Sequence, residues 1–280
     1  MKLRLGISTC PNDTFAFHAV LEKRVDLEGL EPEFALLDVQ ELNEGLAAGR
    51  FDYAKASFHA GLHLADRYGV LGAGSALGWG VGPLLLAARP DGRPPGPASR
   101  VLCPGGWTTA TLLLRCLHPT AANIEQCLFS DIMPALSRGD ADYGVVIHEG
   151  RFVYREAGLT LVEDLGATWE QVTGGPLPLG GILGRLDLPD QLHARMNRVL
   201  VRSIDYARAH PDEAFATMSR HAQELDPQVI WSHVELYVND YTRALGEVGA
   251  RALARLAEEA ERHHAVPVAT AALRILPTGM

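Results

Sequence analysis

Four short polar stretches carry side chains able to do chemistry: Ser8-Thr9-Cys10-Pro11-Asn12-Asp13-Thr14, Lys55-Ala56-Ser57, Gly105-Gly106-Trp107-Thr108-Thr109 and His148-Glu149. His148 closes the apolar run Tyr143-Gly144-Val145-Val146-Ile147. A histidine at a strand's carboxyl end, with an ordinary pKa of about 6.5, suits a general base, the alternative being a satisfied structural histidine. The Gly-Gly-Trp-Thr-Thr turn follows a strand and opens a helix, which presents free amides at a positive helix end to an anion. The two threonine hydroxyls add donors, or serve only as a plain N-cap. Neither G-x-x-x-x-G-K-S/T nor G-x-G-x-x-G occurs, so a carboxylate suits this turn better than a nucleotide phosphate. Lys55 lies among small and apolar residues. Its ammonium needs an anion or water there, and reaching water at the strand end is one solution. Ser57 shares its face of the strand, so the pair could hold a carboxylate together.

Other chemistry finds less support. No G-x-S-x-G elbow exists for a serine nucleophile. Cys10, Cys103, Cys116 and Cys127 form no C-x-x-C pair, which gives no zinc or redox signal; Cys10 is expected to be an inert buried thiol. His263-His264 is too isolated for a metal site, and no metal is expected.

These groups need strands and helices to carry them. Leu3–Ile7 reads as a strand entering a helix at Pro11, with Asn12, Asp13 or Thr14 as cap. Glu33–Leu37, Phe51–Ala56 and Gly82–Ala88 read as further strands, and Asp38-x-x-Glu41 as a capping box. Ser57 is a plausible cap for a helix through Ala65. After the proline-rich connector Arg89–Arg100 the alternation restarts, with strands at Val101–Cys103, Cys127–Phe129, Asp142–Ile147, Thr160–Val162 and Leu179–Leu183. Helices are expected at Thr108–Leu117 and from a Ser130 cap to Gly139. From Pro189 the pattern is helix only. Alternating strands and helices predict an α/β fold of mostly parallel sheets, with ligands beyond the strands' carboxyl ends.

The 280 residues suit about two domains. The expected division is a discontinuous lobe of residues 1–88 plus 186–280, with the all-helical C-terminal segment packed on it, and a second lobe of 89–185, with the site in the cleft between them. A net charge of −9 argues against nucleic acid, and no apolar run approaches the roughly 20 residues that span a bilayer. The start MKLRLGIS has no apolar h-region after its positive charges and reads as a strand, so a cytoplasmic location is expected. Whether the chain is a monomer or a homodimer is open at this point.

Read together, the stretches Ser8–Phe15, Pro104–Ala110, Ile147-His148-Glu149-Gly150-Arg151-Phe152 and Leu177-Pro178-Leu179-Gly180 resemble the 1,4-dihydroxy-6-naphthoate synthases of the futalosine route to menaquinone. The resemblance runs from about Leu3 to the region of His233–Asn239. It implies a two-lobed fold like that of type 2 periplasmic binding proteins. It also implies a cofactor-independent lyase that converts cyclic dehypoxanthinyl futalosine, a fused ring system bearing a carboxylate, to 1,4-dihydroxy-6-naphthoate. By the same resemblance Lys55, Ala56, Ser57, Thr108 and Thr109 bind substrate and His148 accepts the proton. Asn12, Asp13, Thr14 and Glu149 are further cleft candidates, with Glu149 or Asn12 able to orient His148. Two alternatives stand beside this: a chorismate dehydratase of the same pathway, and a non-catalytic binding protein for a small aromatic acid.

Overall fold

The computed structural model describes residues 2–88, 93–222, 226–266 and 272–279. The first part of the chain runs β1 (Lys2–Ser8), α1 (Pro11–Leu21), β2 (Glu31–Leu37), α2 (Val39–Ala47), β3 (Tyr53–Ser57), α3 (Phe58–His63), β4 (Tyr68–Val70) and β5 (Ala76–Gly78). Next come β6 (Leu84–Ala87), β7 (Arg100–Cys103), α4 (Thr109–Leu117), β8 (Asn123–Gln126), α5 (Phe129–Arg138), β9 (Tyr143–Val146), α6 (Gly150–Val153), β10 (Thr160–Asp164) and α7 (Leu165–Thr173). Finally β11 (Leu177–Arg185) leads into α8 (Asp190–Ala209), α9 (Pro211–His221), α10 (Pro227–Tyr237), α11 (Asp240–Arg243) and α12 (Gly246–Arg262).

Two sheets result. The first has the order β2-β1-β3-β11-β4, with β5 also on β11; the second has the order β10-β6-β9-β7-β8. Both are mixed and not mostly parallel as expected. The β1–β2, β1–β3, β7–β8 and β7–β9 pairs are parallel, as βα alternation requires. The pairings of β6 and β11 are antiparallel.

Those two strands also fall across the expected lobe boundaries. Leu84–Ala87 belongs to the second sheet and Leu177–Arg185 to the first. The proline-rich connector is therefore a link within the second sheet, from β6 to β7, and not a crossing between sheets; its residues 89–92 lie outside those described. The chain crosses earlier, past Gly82, and returns just before β11. Gly82 has φ +139°, and a Cβ there would lie 2.8 Å from the Cα of Gly166, so glycine lets the crossing pass close to α7.

Local signals explain most elements. Asp38 and Glu41 form the capping box of α2, and Thr108 caps α4 by accepting from the Thr111 amide. Three expected caps differ, the first at Ser130, which lies inside α5 with Leu128 at its N-cap. Cys10 stands at the N-cap of α1 without a side-chain bond, because Asp13 reaches back to Ser8. Ser57 precedes α3, but its backbone amide and hydroxyl are engaged by Asn43. The expected strand at Cys127–Phe129 is the turn into α5, which starts at Phe129; the strand lies earlier, at Asn123–Gln126.

Helix α1 is buried on nearly every side because α8, α9 and α10 surround it. Most of the C-terminal helices thus cover the first sheet, as expected, but α12 packs on β11, α3 and α4 and so touches both halves. The C-terminal segment is not wholly helical either. Residues 272–279 run alongside β4, with the Val70 amide donating to Arg274 and the Leu276 amide to Val70.

Candidate active site

One pocket collects all four stretches. From the first sheet come Ser8, Asn12, Asp13, Lys55, Ala56 and Ser57. The second contributes Thr108, Thr109 and Ala110 at the start of α4, with Ile147 and His148 just past β9. Gly82, Pro83, Leu179 and Gly180 line it where the chain crosses. Val39 of α2 and His233 and Tyr237 of α10 complete the wall. Thr14 and Glu149 are buried but do not line it; the Thr14 hydroxyl donates to the Cys10 carbonyl.

Lys55 does not face the pocket as a free cation. Its ammonium donates to Asp13 Oδ1 at 2.6 Å, and both side chains are buried. The same carboxylate accepts from the Ser8 hydroxyl at 2.6 Å and from Asn12 Nδ2 at 2.9 Å. Asp13 is thus the anion that the buried lysine requires, and the pair is neutral overall. Lys55 thus lines the pocket with an anionic partner already in place.

The threonines are committed as well. The Thr108 hydroxyl donates to the Gly105 carbonyl at 2.8 Å, and the Thr109 hydroxyl to the Leu179 carbonyl at 2.7 Å. The second bond ties the first turn of α4 to β11 of the other sheet. What this turn offers a ligand is its backbone, since the first amides of a helix have no partner one turn back. Ser57 remains able to donate its hydroxyl hydrogen, because its oxygen accepts from Asn43 Nδ2 at 3.5 Å.

His148 is half-buried and sits at φ +55°, a left-handed conformation uncommon for a side-chain-bearing residue. That turn swings the chain from β9 into α6. The ring has the edge of Phe129 at 4.8 Å and Cys10 Sγ at 3.2 Å from Nδ1. Burial, then the charge of Glu149, pushes the Cys10 thiol well above its ordinary range, so it stays protonated.

Asn43, His233 and Tyr237 were missed from sequence. Asn43 follows Val39 by one turn on α2, a spacing that could have placed it beside the site. His233 and Tyr237 are also one turn apart, but which face of α10 meets the pocket depends on long-range packing. Burial drives His233 well below the ordinary histidine range, with His148 and Lys55 adding to it, and raises the Tyr237 hydroxyl.

Comparison with known proteins gives the family and the fold. A family model described as menaquinone biosynthesis matches residues 3–262. The chain belongs to that family. It is 46% identical to the 1,4-dihydroxy-6-naphthoate synthase of Thermus thermophilus, covering 92% of this chain and 94% of that one. With the synthase of Streptomyces coelicolor the identity is 36%, over 95% of each chain. A crystal structure of an Archaeoglobus fulgidus protein superposes with a TM-score of 0.88 at 32% identity, covering 95% of this chain and 98% of that one. The periplasmic aliphatic sulphonate binding protein of Escherichia coli superposes with a TM-score of 0.67 at 16% identity, over 100% of this chain and 93% of that one. The fold is thus that of periplasmic binding proteins. Among the described residues no helix is long and apolar enough to cross a membrane.

Proposed function

We propose that this menaquinone-family protein is a 1,4-dihydroxy-6-naphthoate synthase acting in the cytoplasm. It takes cyclic dehypoxanthinyl futalosine into the pocket between the two sheets, and the two lobes close on it about the crossings near Gly82 and Gly175. The observation that carries the reading is the 46% identity to a synthase over 92% of the chain. The site supports it: an imidazole and a helix N-terminus share one pocket.

The carboxylate is held by the opening amides of α4 and the Ser57 hydroxyl. Lys55 acts at one remove, fixing Asp13 and through it Ser8 and Asn12. His148 removes a proton from substrate. The electron pair left behind drives cleavage of the bond to the sugar-derived fragment, which leaves with the bonding pair and takes up a proton, and the remaining ring gains aromatic stabilisation.

The test is incubation of purified protein with the cyclic futalosine derivative while following the naphthoate chromophore. A wild type that forms no naphthoate overturns the reading. The His148→Asn variant is expected to lose a factor of about 10² to 10⁴ in kcat, roughly 3–5 kcal/mol of barrier. Its affinity for product should be nearly unchanged. Retention of more than about a tenth of kcat would assign the proton to another group, since a general base contributes more than that.

A further inference from the structure

Two titratable groups in the pocket, His233 and Tyr237, have no role in the chemistry above. His233 lies in α10, is 1% exposed and lines the pocket. Neither ring nitrogen has a hydrogen-bond partner among the described residues. Its close neighbours are rings: His148 stacked at 6.3 Å, Tyr237 at 4.6 Å and Phe152 at 6.5 Å. A buried polar atom left without a partner is a liability, and a phenyl ring would fill the same space without it. Packing therefore gives no reason for an imidazole here, whereas a ligand does.

The ring's charge state narrows the ligand. Burial, His148 and Lys55 all keep His233 neutral. A neutral imidazole offers one N–H donor and one lone pair. A carboxylate would seek donors only, and the amides opening α4 already supply them. The group that matches a neutral donor–acceptor ring is a neutral oxygen, either a hydroxyl or a ketone.

We propose that His233 is a substrate-binding residue that hydrogen-bonds a neutral ring oxygen of the substrate, so that the pocket selects an oxygenated ring system over a bare aromatic acid. The class of ligand rests on the function proposed above; the demand for a neutral oxygen rests on His233 itself. A site built to bond a hydroxyl discriminates strongly against the analogue without it, because its own buried groups are then left unpaired.

The experiment compares two probes under anaerobic conditions: 1,4-dihydroxy-6-naphthoate and 2-naphthoate, which has the same ring and carboxylate but no hydroxyls. Binding of each is measured to wild type, His233→Phe and His233→Gln, with thermal unfolding alongside. The wild type should prefer the dihydroxy compound by about tenfold or more, a difference of about 1.4 kcal/mol. The His233→Phe variant should lose that preference while melting no lower than wild type. The His233→Gln variant, which keeps a donor and an acceptor, should regain part of it. A His233→Phe variant that keeps the wild-type preference overturns the proposal. So does a wild type that does not distinguish the probes, or a lost preference that comes with a lowered melting temperature and no recovery in His233→Gln. A preference lost in His233→Phe and partly regained in His233→Gln, in a protein that makes no naphthoate, upholds this inference and overturns the proposed activity.

Discussion

Sγ of Cys10, at the N-cap of α1, lies 3.2 Å from Nδ1 of His148, just beyond β9, so one contact joins the two halves of the molecule at the proposed base. The contact bears on which imidazole nitrogen carries the hydrogen. For Nε2 to accept a proton from substrate, Nδ1 must hold the hydrogen and Sγ must accept it. A buried, protonated thiol is a weak donor and tolerates that role. A serine hydroxyl is a stronger donor; it would bond to Nδ1 and place the hydrogen on Nε2. The Cys10→Ser variant is therefore expected to lose about tenfold in kcat with little change in KM, comparable to one net hydrogen bond. Cys10→Ala should lose less. Steady-state kinetics of both variants decide it: an alanine variant worse than the serine one would make packing the function of Cys10.

The Lys55–Asp13 pair predicts a pattern of stability. Both side chains are nearly inaccessible, at 8% and 4% exposure, so removing one partner leaves the other as an uncompensated buried charge. Lys55→Met and Asp13→Asn should each cost about 3–5 kcal/mol in urea unfolding. The double variant should cost clearly less than their sum, because no lone charge remains. Additive costs would mean that the two groups do not act as a pair.

The legible parts of this protein were those set by neighbours in sequence. The capping box at Asp38 and Glu41, the Thr108 cap and the placement of His148 after an apolar strand all follow from residues within about one turn of each other. The four polar stretches also pointed to one pocket, because strand ends in α/β folds converge. What stayed hidden depends on distance along the chain. Asp13 and Lys55 are 42 residues apart, and nothing local to Lys55 names its partner. His233 lies on a helix whose mixed faces do not announce which side meets the pocket. The first crossing was misplaced because prolines mark a break in regular structure but not which sheet a flanking strand will join.

Gly180 gives a test of how closely the crossing strand must approach the site. A Cβ there would sit 2.5 Å from the carbonyl oxygen of Ala56, and both residues line the pocket. Backbone atoms cannot swing away as a flexible side chain can, so β11 and β3 would have to separate. Gly180→Ala should cost about 1–3 kcal/mol of stability and raise KM. An alanine variant with wild-type unfolding and kinetics would show that these strands give way freely.

Acid should weaken the fold, and His59 carries a measurable share of that. His59 is fully buried; its ring approaches the Thr108 carbonyl through Nδ1 at 3.1 Å and His63 through Nε2 at 3.3 Å. Burial, and then the neighbouring His63, pushes its pKa down to about 4. In the unfolded chain the same ring takes up a proton near pH 6.5. Between those values the unfolded state binds more protons than the native one, so stability falls as pH drops from about 6.5 towards about 4, and His59 adds no further loss below that. Burial lowers His18, His63 and His193 as well, so their contributions have the same sign. From about pH 7.5 to about pH 5, His59 alone should remove on the order of 2 kcal/mol. Urea unfolding of wild type and His59→Gln at those two values measures it. Glutamine does not titrate, so the variant's loss on acidification should be smaller by about that amount. An unchanged loss would mean that His59 is protonated in the native state at about pH 5 or that other histidines carry the whole dependence.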